Sequence, residues 1–139
     1  MSRVTPRLAH VAVVVRDLDR QTSVPAAVLG LAVRDRAAVS GEDATVSFLR
    51  VGRADVELVQ PLSQTGPLAR FLDAHGESIH HLALRVPDLG AAIAAADRAG
   101  LRFAGRAPRL GAHGTRIAFV HPASLHGVLV ELVEDAKQV

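Results

Sequence analysis

Two histidines and two glutamates interrupt apolar segments whose composition is typical of strands. They are His10, Glu57, His81 and Glu131. A polar side chain inside an apolar strand needs a partner, because burying an unpaired carboxylate is costly. Imidazole and carboxylate groups together suit a divalent ion such as Co, Mn, Ni, Zn or Fe. The four side chains therefore predict one metal site.

The positions of these residues belong to an internal repeat. Residues 10–18 resemble residues 81–89 at an offset of 71, sharing His, Ala, Val, Asp and Leu. Residues 46–49 match 117–120 at the same offset, and 56–59 match 130–133 at an offset of 74. A single His in a strand is more often a hydrogen-bonded core residue, and a single Glu is usually solvated. A His and Glu pair that recurs in both copies favours the metal site over these two readings.

Each copy of the repeat reads as a βαβββ module. Strands are expected at residues 8–15, 32–39, 44–51 and 55–60, then at 79–86, 102–107, 115–121 and 127–133. The helix of the second copy begins after Asp88 and stops at Gly100, which are the expected caps. The matching segment of the first copy, residues 17–29, contains Pro25 and should be kinked or split. A short helix over residues 67–74 belongs to the linker and ends at Gly76.

These elements predict an α+β fold in one domain, residues 1–139. It is built from two tandem modules, about 6–61 and 77–134, joined by the linker 62–76. A pseudo-twofold axis should relate the modules, so that curved mixed sheets surround the metal site. Alternation along the strand turns His80 away from the face used by His81. The other histidines, His113, His121 and His126, lie in turn-like segments and should be surface or substrate-side residues.

Composition excludes several classes of protein. Apolar residues make up 49% of the 139 residues, which is enough for a core, and cysteine is absent. No apolar run reaches the roughly 18–20 residues that span a bilayer, so no membrane association and a cytoplasmic location are expected. The net charge is +2 and the arginines are scattered, which does not indicate nucleic-acid binding. Most should be solvated, although a subset could bind an anionic substrate such as a phosphate-bearing cofactor. The scattered arginines include Arg34, Arg36, Arg50, Arg53, Arg98, Arg102, Arg106 and Arg109.

Several segments carry a resemblance to a known family. They are residues 10–13, 57–61, 71–72, 76–81, 108–114, 119–122 and 127–132. Through them the chain resembles the vicinal-oxygen-chelate (glyoxalase/bleomycin-resistance/dioxygenase) superfamily, and within it the methylmalonyl-CoA epimerase branch. The resemblance implies metal ligands at His10, Glu57, His81 and Glu131. At the position of Glu57 the family carries Gln or Glu.

The resemblance also implies a reaction. A proton is exchanged at the carbon between a thioester and a carboxylate in a small acyl-CoA substrate, through an enolate that the metal stabilises. Glu131 resembles one of two acid/base glutamates as well as a ligand. Backbone amides of Gly111, Ala112, His113 and Gly114 are expected to hold the substrate carboxylate.

One position departs from the family pattern. The opposing acid/base glutamate of several bacterial members aligns with Val46, which cannot carry a proton. Glu42 or Asp43 is the nearest substitute in sequence. Epimerisation needs proton transfer on both faces of the enolate. This departure therefore weakens the assignment of the substrate but does not affect the predicted metal ligands.

Two other functions stay open. One is another metal-dependent enzyme of the superfamily, a lyase or isomerase with a different chelating substrate. The other is a non-catalytic ligand-binding or resistance protein, which the complete ligand set disfavours. A homodimer is expected because the modules leave sheet edges and apolar surface to cover. The sequence does not decide the metal or the acyl group.

Overall fold

The computed structural model describes residues 6–30, 33–39 and 43–135. These residues form two compact units, which follow the predicted repeat. The first unit is His10–His80, and the second comprises the residues from His81 onward together with those up to Ala9. The boundary lies near the start of the predicted second module. That a single domain spans residues 1–139 stays a prediction.

The first unit has the predicted β-α-β-β-β order. Its elements are β1 (Arg7–Val14), α1 (Leu18–Leu29), β2 (Val33–Val39), β3 (Ala44–Val51), β4 (Ala54–Pro61) and the linker helix α2 (Pro67–His75). Only the part of β1 that begins at His10 belongs to this unit. The strand order is β2-β3-β4-β1. The β1 and β4 strands are parallel, whereas the other neighbours are antiparallel. The sheet is therefore mixed, as the sequence predicts.

The second unit repeats this arrangement with a shorter edge. Its elements are β5 (Ser78–Val86), α3 (Leu89–Arg98), β6 (Arg109–Leu110), β7 (Arg116–Val120) and β8 (Val130–Glu134). The order is β5-β8-β7-β6, with β5 and β8 parallel and the other neighbours antiparallel. Three-residue 3-10 turns, Ala112–Gly114 and Pro122–Ser124, flank β7.

The strand predicted over residues 102–107 is wrong. Phe103 forms only an isolated bridge with Val120, and the regular edge strand is the two-residue β6 that follows. Gly105 has a φ of 73°, outside the strand region. Pro108 also has no N–H to donate to a neighbouring strand. Gly105 therefore interrupts the predicted strand, and Pro108 limits pairing just beyond its end.

The sequence predicts that the first helix is kinked or split. The split is wrong, because α1 continues from Leu18 to Leu29 through Pro25, and the kink stays a prediction. A proline removes one hydrogen bond of the helix and obstructs the preceding turn, but a single uninterrupted helix forms here. Gly30 follows it with a left-handed φ of 66°, a usual helix stop.

The two units share the same hydrogen bonds at their helix N termini. Asp17 Oδ1 accepts from the backbone N–H three residues on at 3.1 Å, and Asp88 Oδ1 does the same at 2.9 Å. The Leu18 N–H donates to Gln60 Oε1 at 2.8 Å, and the Leu89 N–H donates to Glu134 Oε2, also at 2.8 Å. The repeat seen in the sequence is thus present in the capping interactions.

Small and branched aliphatic side chains fill most of the core of each unit. In the first unit the helix packs on the sheet through a buried cluster of Val15, Leu18, Leu49 and Leu58. The second has the corresponding cluster of Val86, Leu89 and Ala118. Among the described residues, no helix combines the length and apolar character needed to cross a membrane.

Candidate metal centre and active site

In the first unit, His10 and Glu57 form a close pair. The two residues lie on the parallel strands β1 and β4, where Ala12 is aligned with Glu57. His10 Nε2 is 2.8 Å from Glu57 Oε2, and the side chains are only 12% and 11% exposed. The strand register therefore brings together a histidine and a glutamate that are 47 residues apart in the sequence.

In the second unit, His81 and Glu131 form the equivalent pair. Ala83 is aligned with Glu131 across the parallel strands β5 and β8, the same register as in the first unit. His81 Nε2 is 2.9 Å from Glu131 Oε2, and the side chains are 6% and 7% exposed. The structure thus joins the four predicted ligands as two matching pairs.

The chemistry of each pair fits a divalent metal ion. Metal–nitrogen and metal–oxygen bonds are about 2.1 Å long, so two such ligand atoms at a right angle lie about 3.0 Å apart. The separations of 2.8 and 2.9 Å are close to this value. Each pair can therefore offer one nitrogen and one oxygen ligand with little movement.

An aromatic side chain stands beside each glutamate. Phe48 is aligned with Glu57 across β3 and β4, and Phe119 is aligned with Glu131 across β7 and β8. The Phe119 ring meets the His81 ring edge to face, with centroids 5.1 Å apart and an interplanar angle of 85°. Such packing limits rotation of the imidazole and keeps water from its apolar side.

Val46 lies on the same face of the first sheet as Glu57. Its backbone is aligned with that of Val59, two residues beyond Glu57, and it precedes Phe48 by two residues. Side chains two residues apart in a strand share a face. Val46 is 3% exposed, so an apolar side chain occupies this buried position.

The structure describes only one of the two residues that could substitute for the missing glutamate. Glu42 lies outside the described residues. Asp43 stands in the turn before β3, where it is exposed and has a φ of 52°. Its backbone oxygen accepts from the Leu62 N–H at 2.8 Å. A catalytic role for either residue stays a prediction.

The loop expected to hold the substrate carboxylate is a tight turn. The Gly111 N–H donates to the Thr115 oxygen at 2.8 Å, and Thr115 Oγ1 donates to the Ala112 oxygen at 2.8 Å. A Cβ atom on Gly111 would lie 2.9 Å from a side-chain carbon of Ile117, so the backbone approaches this side chain too closely for a larger residue. His113 is exposed with a φ of 57°. Substrate binding by these amides stays a prediction.

The remaining histidines behave largely as the sequence predicts. The His80 ring packs edge to face on Phe71 of α2 at 4.7 Å, away from the pair formed by its neighbour. His121 and His126 lie in turns, where His121 Nδ1 accepts from the Ala123 N–H at 3.0 Å. His121 therefore supports the turn itself.

One side chain close to the second pair was grouped with the scattered arginines in the sequence. Arg109 places its guanidinium carbon 4.8 Å from the centroid of the Phe119 ring. The residue is only partly exposed. Arg109 lies in the segment 108–114, which carries part of the family resemblance, and this position could have marked it as a candidate. The sequence does not reveal its contact with Phe119.

The fold and the paired ligands agree with the comparison to known families. Residues 9–119 match the model of the Glyoxalase/Bleomycin resistance protein/Dioxygenase superfamily. This match covers more than half of the chain, and the protein belongs to that superfamily. The predicted family and fold class are confirmed.

Known proteins narrow the relationship further. The chain is 36% identical to the ethylmalonyl-CoA/methylmalonyl-CoA epimerase of Cereibacter sphaeroides, over 91% of this chain and 96% of that protein. Methylmalonyl-CoA epimerase from Mycobacterium tuberculosis superposes with a TM-score of 0.88 at 34% identity, covering 94% of this chain and 88% of the other. A methylmalonyl-CoA epimerase in complex with methylmalonyl-CoA and NH4+ gives a TM-score of 0.89 at 29% identity, over 94% and 95% of the two chains. The predicted resemblance to this branch of isomerases is confirmed.

Proposed function

We propose that this protein is a metal-dependent isomerase that epimerises methylmalonyl-CoA or a related 2-substituted malonyl thioester. The observation that carries the proposal is the duplicated His and Glu pair, with separations of 2.8 and 2.9 Å, in a chain whose relatives are named as such epimerases. Core packing does not easily explain why a His and Glu pair occurs in each unit. Apolar side chains could fill the same volume with no desolvation penalty.

His10, Glu57, His81 and Glu131, which form the two close pairs, are the proposed ligands of one divalent ion. When bound, the ion supplies Lewis-acid stabilisation to the thioester and carboxylate oxygens of the substrate. The mixture of imidazole and carboxylate ligands is compatible with Co, Mn, Ni, Zn or Fe. The buried positions of Glu57 and Glu131 support this assignment, because a divalent cation compensates two carboxylates that water reaches poorly.

The acid/base step is assigned to Glu131 on one face of the substrate. A carboxylate next to the substrate can remove the proton at C2 and return it when the enolate collapses. The turn Gly111–Gly114 is assigned to the substrate carboxylate through the backbone amides of Ala112, His113 and Gly114, because the Gly111 N–H already donates to the Thr115 oxygen within the turn. On the opposite face Val46 holds no proton, so Glu42 or Asp43 is the proposed second acid/base.

Deuterium exchange at C2 of methylmalonyl-CoA, followed by NMR in D2O, tests the function. With added Co²⁺, we expect C2 labelling together with racemisation, and neither in metal-free protein. His81→Ala should lose both, while His80→Ala is the matched control that keeps them. Absence of exchange in protein that has been shown to hold metal would refute the epimerase.

One observation favours a second candidate. The buried Val46 removes an acid/base group from one face of the site, and a lyase or isomerase that needs one-sided proton transfer would tolerate this change. Metal-loaded protein without C2 exchange would support this candidate, another superfamily enzyme with a different chelating substrate. The homodimer and the cytoplasmic location stay predictions.

A further inference from the structure

We propose that Arg109 binds the carboxylate of the substrate beside the metal centre and so selects malonyl-type thioesters over simple acyl thioesters. This inference rests on the proposed function, because it places a substrate on the second His and Glu pair. It adds a charged side chain to a subsite otherwise assigned to backbone amides.

The strand register directs Arg109 to the side of the sheet that carries Glu131. Arg109 on β6 is aligned with Ile117 on β7, and Phe119 on β7 is aligned with Glu131 on β8. Residues aligned across neighbouring strands share a face, as do residues two apart along a strand. Arg109, Ile117, Phe119 and Glu131 therefore project from one face of the second sheet.

The Phe119 ring holds the guanidinium near the histidine. The guanidinium carbon is 4.8 Å from the ring centroid, and that centroid is 5.1 Å from the centroid of the His81 ring. These two distances limit the separation between the guanidinium carbon and the His81 ring to at most 9.9 Å. A cation stacked on a buried aromatic ring loses less side-chain freedom on binding an anion than a solvated one.

The internal repeat carries this charge in one copy only. Val46 and Ile117 are equivalent at the offset of 71. Ala37 is aligned with Val46 in the first unit, whereas Arg109 is aligned with Ile117 in the second. The same structural position thus holds a methyl group in one copy and a guanidinium in the other. This asymmetry suits a substrate that has a carboxylate on one side of the reacting carbon and a thioester on the other.

The chemistry favours a carboxylate as the anion. A guanidinium presents two parallel N–H groups that match the two oxygens of a carboxylate. Arg109 also leads directly into the turn Gly111–Gly114, whose amides are assigned to the same group. The phosphates of coenzyme A form the alternative anion, but they lie at the far end of the pantetheine arm from the acyl group that the metal binds.

Binding measurements on two thioesters test this assignment. Propionyl-CoA has the same coenzyme and acyl chain as methylmalonyl-CoA but lacks the carboxylate. For Arg109→Gln, calorimetry with metal-loaded protein should show a Kd for methylmalonyl-CoA raised by about 10- to 100-fold, since one charge-assisted pair is lost. The Kd for propionyl-CoA should change by less than about 2-fold.

Two further variants separate charge from shape. Arg109→Lys keeps the charge without the planar fork and should give an intermediate Kd. Arg106→Gln removes an exposed arginine three residues earlier and should leave both affinities unchanged. Metal content and thermal unfolding are measured for each variant, and Arg109→Lys keeps the test valid if the glutamine variant does not fold.

The possible results are distinguishable. Equal weakening of both thioesters would assign Arg109 to a phosphate and overturn the proposal, as would unchanged binding of methylmalonyl-CoA in Arg109→Gln. The binding measurement needs no turnover. Wild-type protein that binds methylmalonyl-CoA through Arg109 but does not exchange C2 would therefore refute the proposed epimerase and leave the carboxylate subsite supported.

Discussion

Replacing Val46 by glutamate would place a carboxylate at the position where the family resemblance implies the second acid/base glutamate. Val46 shares its side of the first sheet with Glu57 and is 3% exposed, so the new carboxylate would enter a buried environment. If the missing group limits racemisation, Val46→Glu should raise its rate. General acid–base groups contribute about 10²–10⁴-fold, and an imperfectly placed carboxylate should still give at least about 10-fold.

The same change should destabilise the metal-free protein. Losing the buried valine side chain removes about 2 kcal/mol of hydrophobic stabilisation, and an uncompensated carboxylate adds a penalty of similar size or larger. Together these predict a loss of at least about 4 kcal/mol in the free energy of unfolding. A divalent ion near the new carboxylate should recover part of this loss.

Urea unfolding with and without Co²⁺ measures the stability, and NMR in D2O separates C2 exchange from racemisation. Val46→Gln is the control, because it has nearly the shape of glutamate but cannot carry the proton. We expect faster racemisation only for the glutamate variant. A folded, metal-loaded Val46→Glu protein that racemises no faster than wild type would show that Val46 is not the vacant acid/base position.

Three other substitutions probe the ligands, the helix cap and the substrate loop. His81→Ala should weaken metal binding at least about 100-fold, whereas His80→Ala should leave it unchanged, as measured by metal titration. Glu134→Gln should keep the acceptor at the N terminus of α3 and change the free energy of unfolding by less than about 1 kcal/mol, while Glu134→Ala should lower it by about 1–2 kcal/mol. Gly111→Ala should lower the free energy of unfolding by about 1–3 kcal/mol, because its Cβ would lie 2.9 Å from the buried Ile117 side chain. Urea denaturation measures the free energy of unfolding of the Glu134 and Gly111 variants.

Each of these expectations can fail separately. Metal retained by the His81 variant would remove that residue from the ligand set. Equal destabilisation by glutamine and alanine at position 134 would show that the carboxylate charge, rather than the acceptor, stabilises α3. An unchanged unfolding free energy for Gly111→Ala would show that the turn relaxes away from Ile117.

Much of each unit could be predicted because the repeat is visible in residue types. The offsets that match His10 with His81 and Glu57 with Glu131 predict the two His and Glu pairs, and the metal site itself stays a proposal. Alternation along β5 also separated His80 from His81, and the side-chain caps at Asp17 and Asp88 follow from local chemistry. These features depend on neighbours in the sequence or on a pattern that occurs twice.

The wrong strand and the wrong helix split have different physical causes. Residues 102–107 have the composition of a strand, yet Gly105 adopts a positive φ and Pro108 cannot donate to a neighbour. Conversely, Pro25 lies within one continuous helix, although its local effect on a helix is unfavourable. Local propensities are weak compared with the packing that an element gains in the folded protein.

The sequence by itself determined the family, the duplicated elements and the four residues that are candidates to bind a metal. Only the tertiary structure placed His10 at 2.8 Å from Glu57 and His81 at 2.9 Å from Glu131, because those distances depend on strand register. It also placed the Arg109 guanidinium on Phe119. Nothing in the local sequence distinguishes Arg109 from the other arginines. Its environment is created by the pairing of β6 with β7. The direction of such a long side chain depends on the residues it packs against in the folded protein.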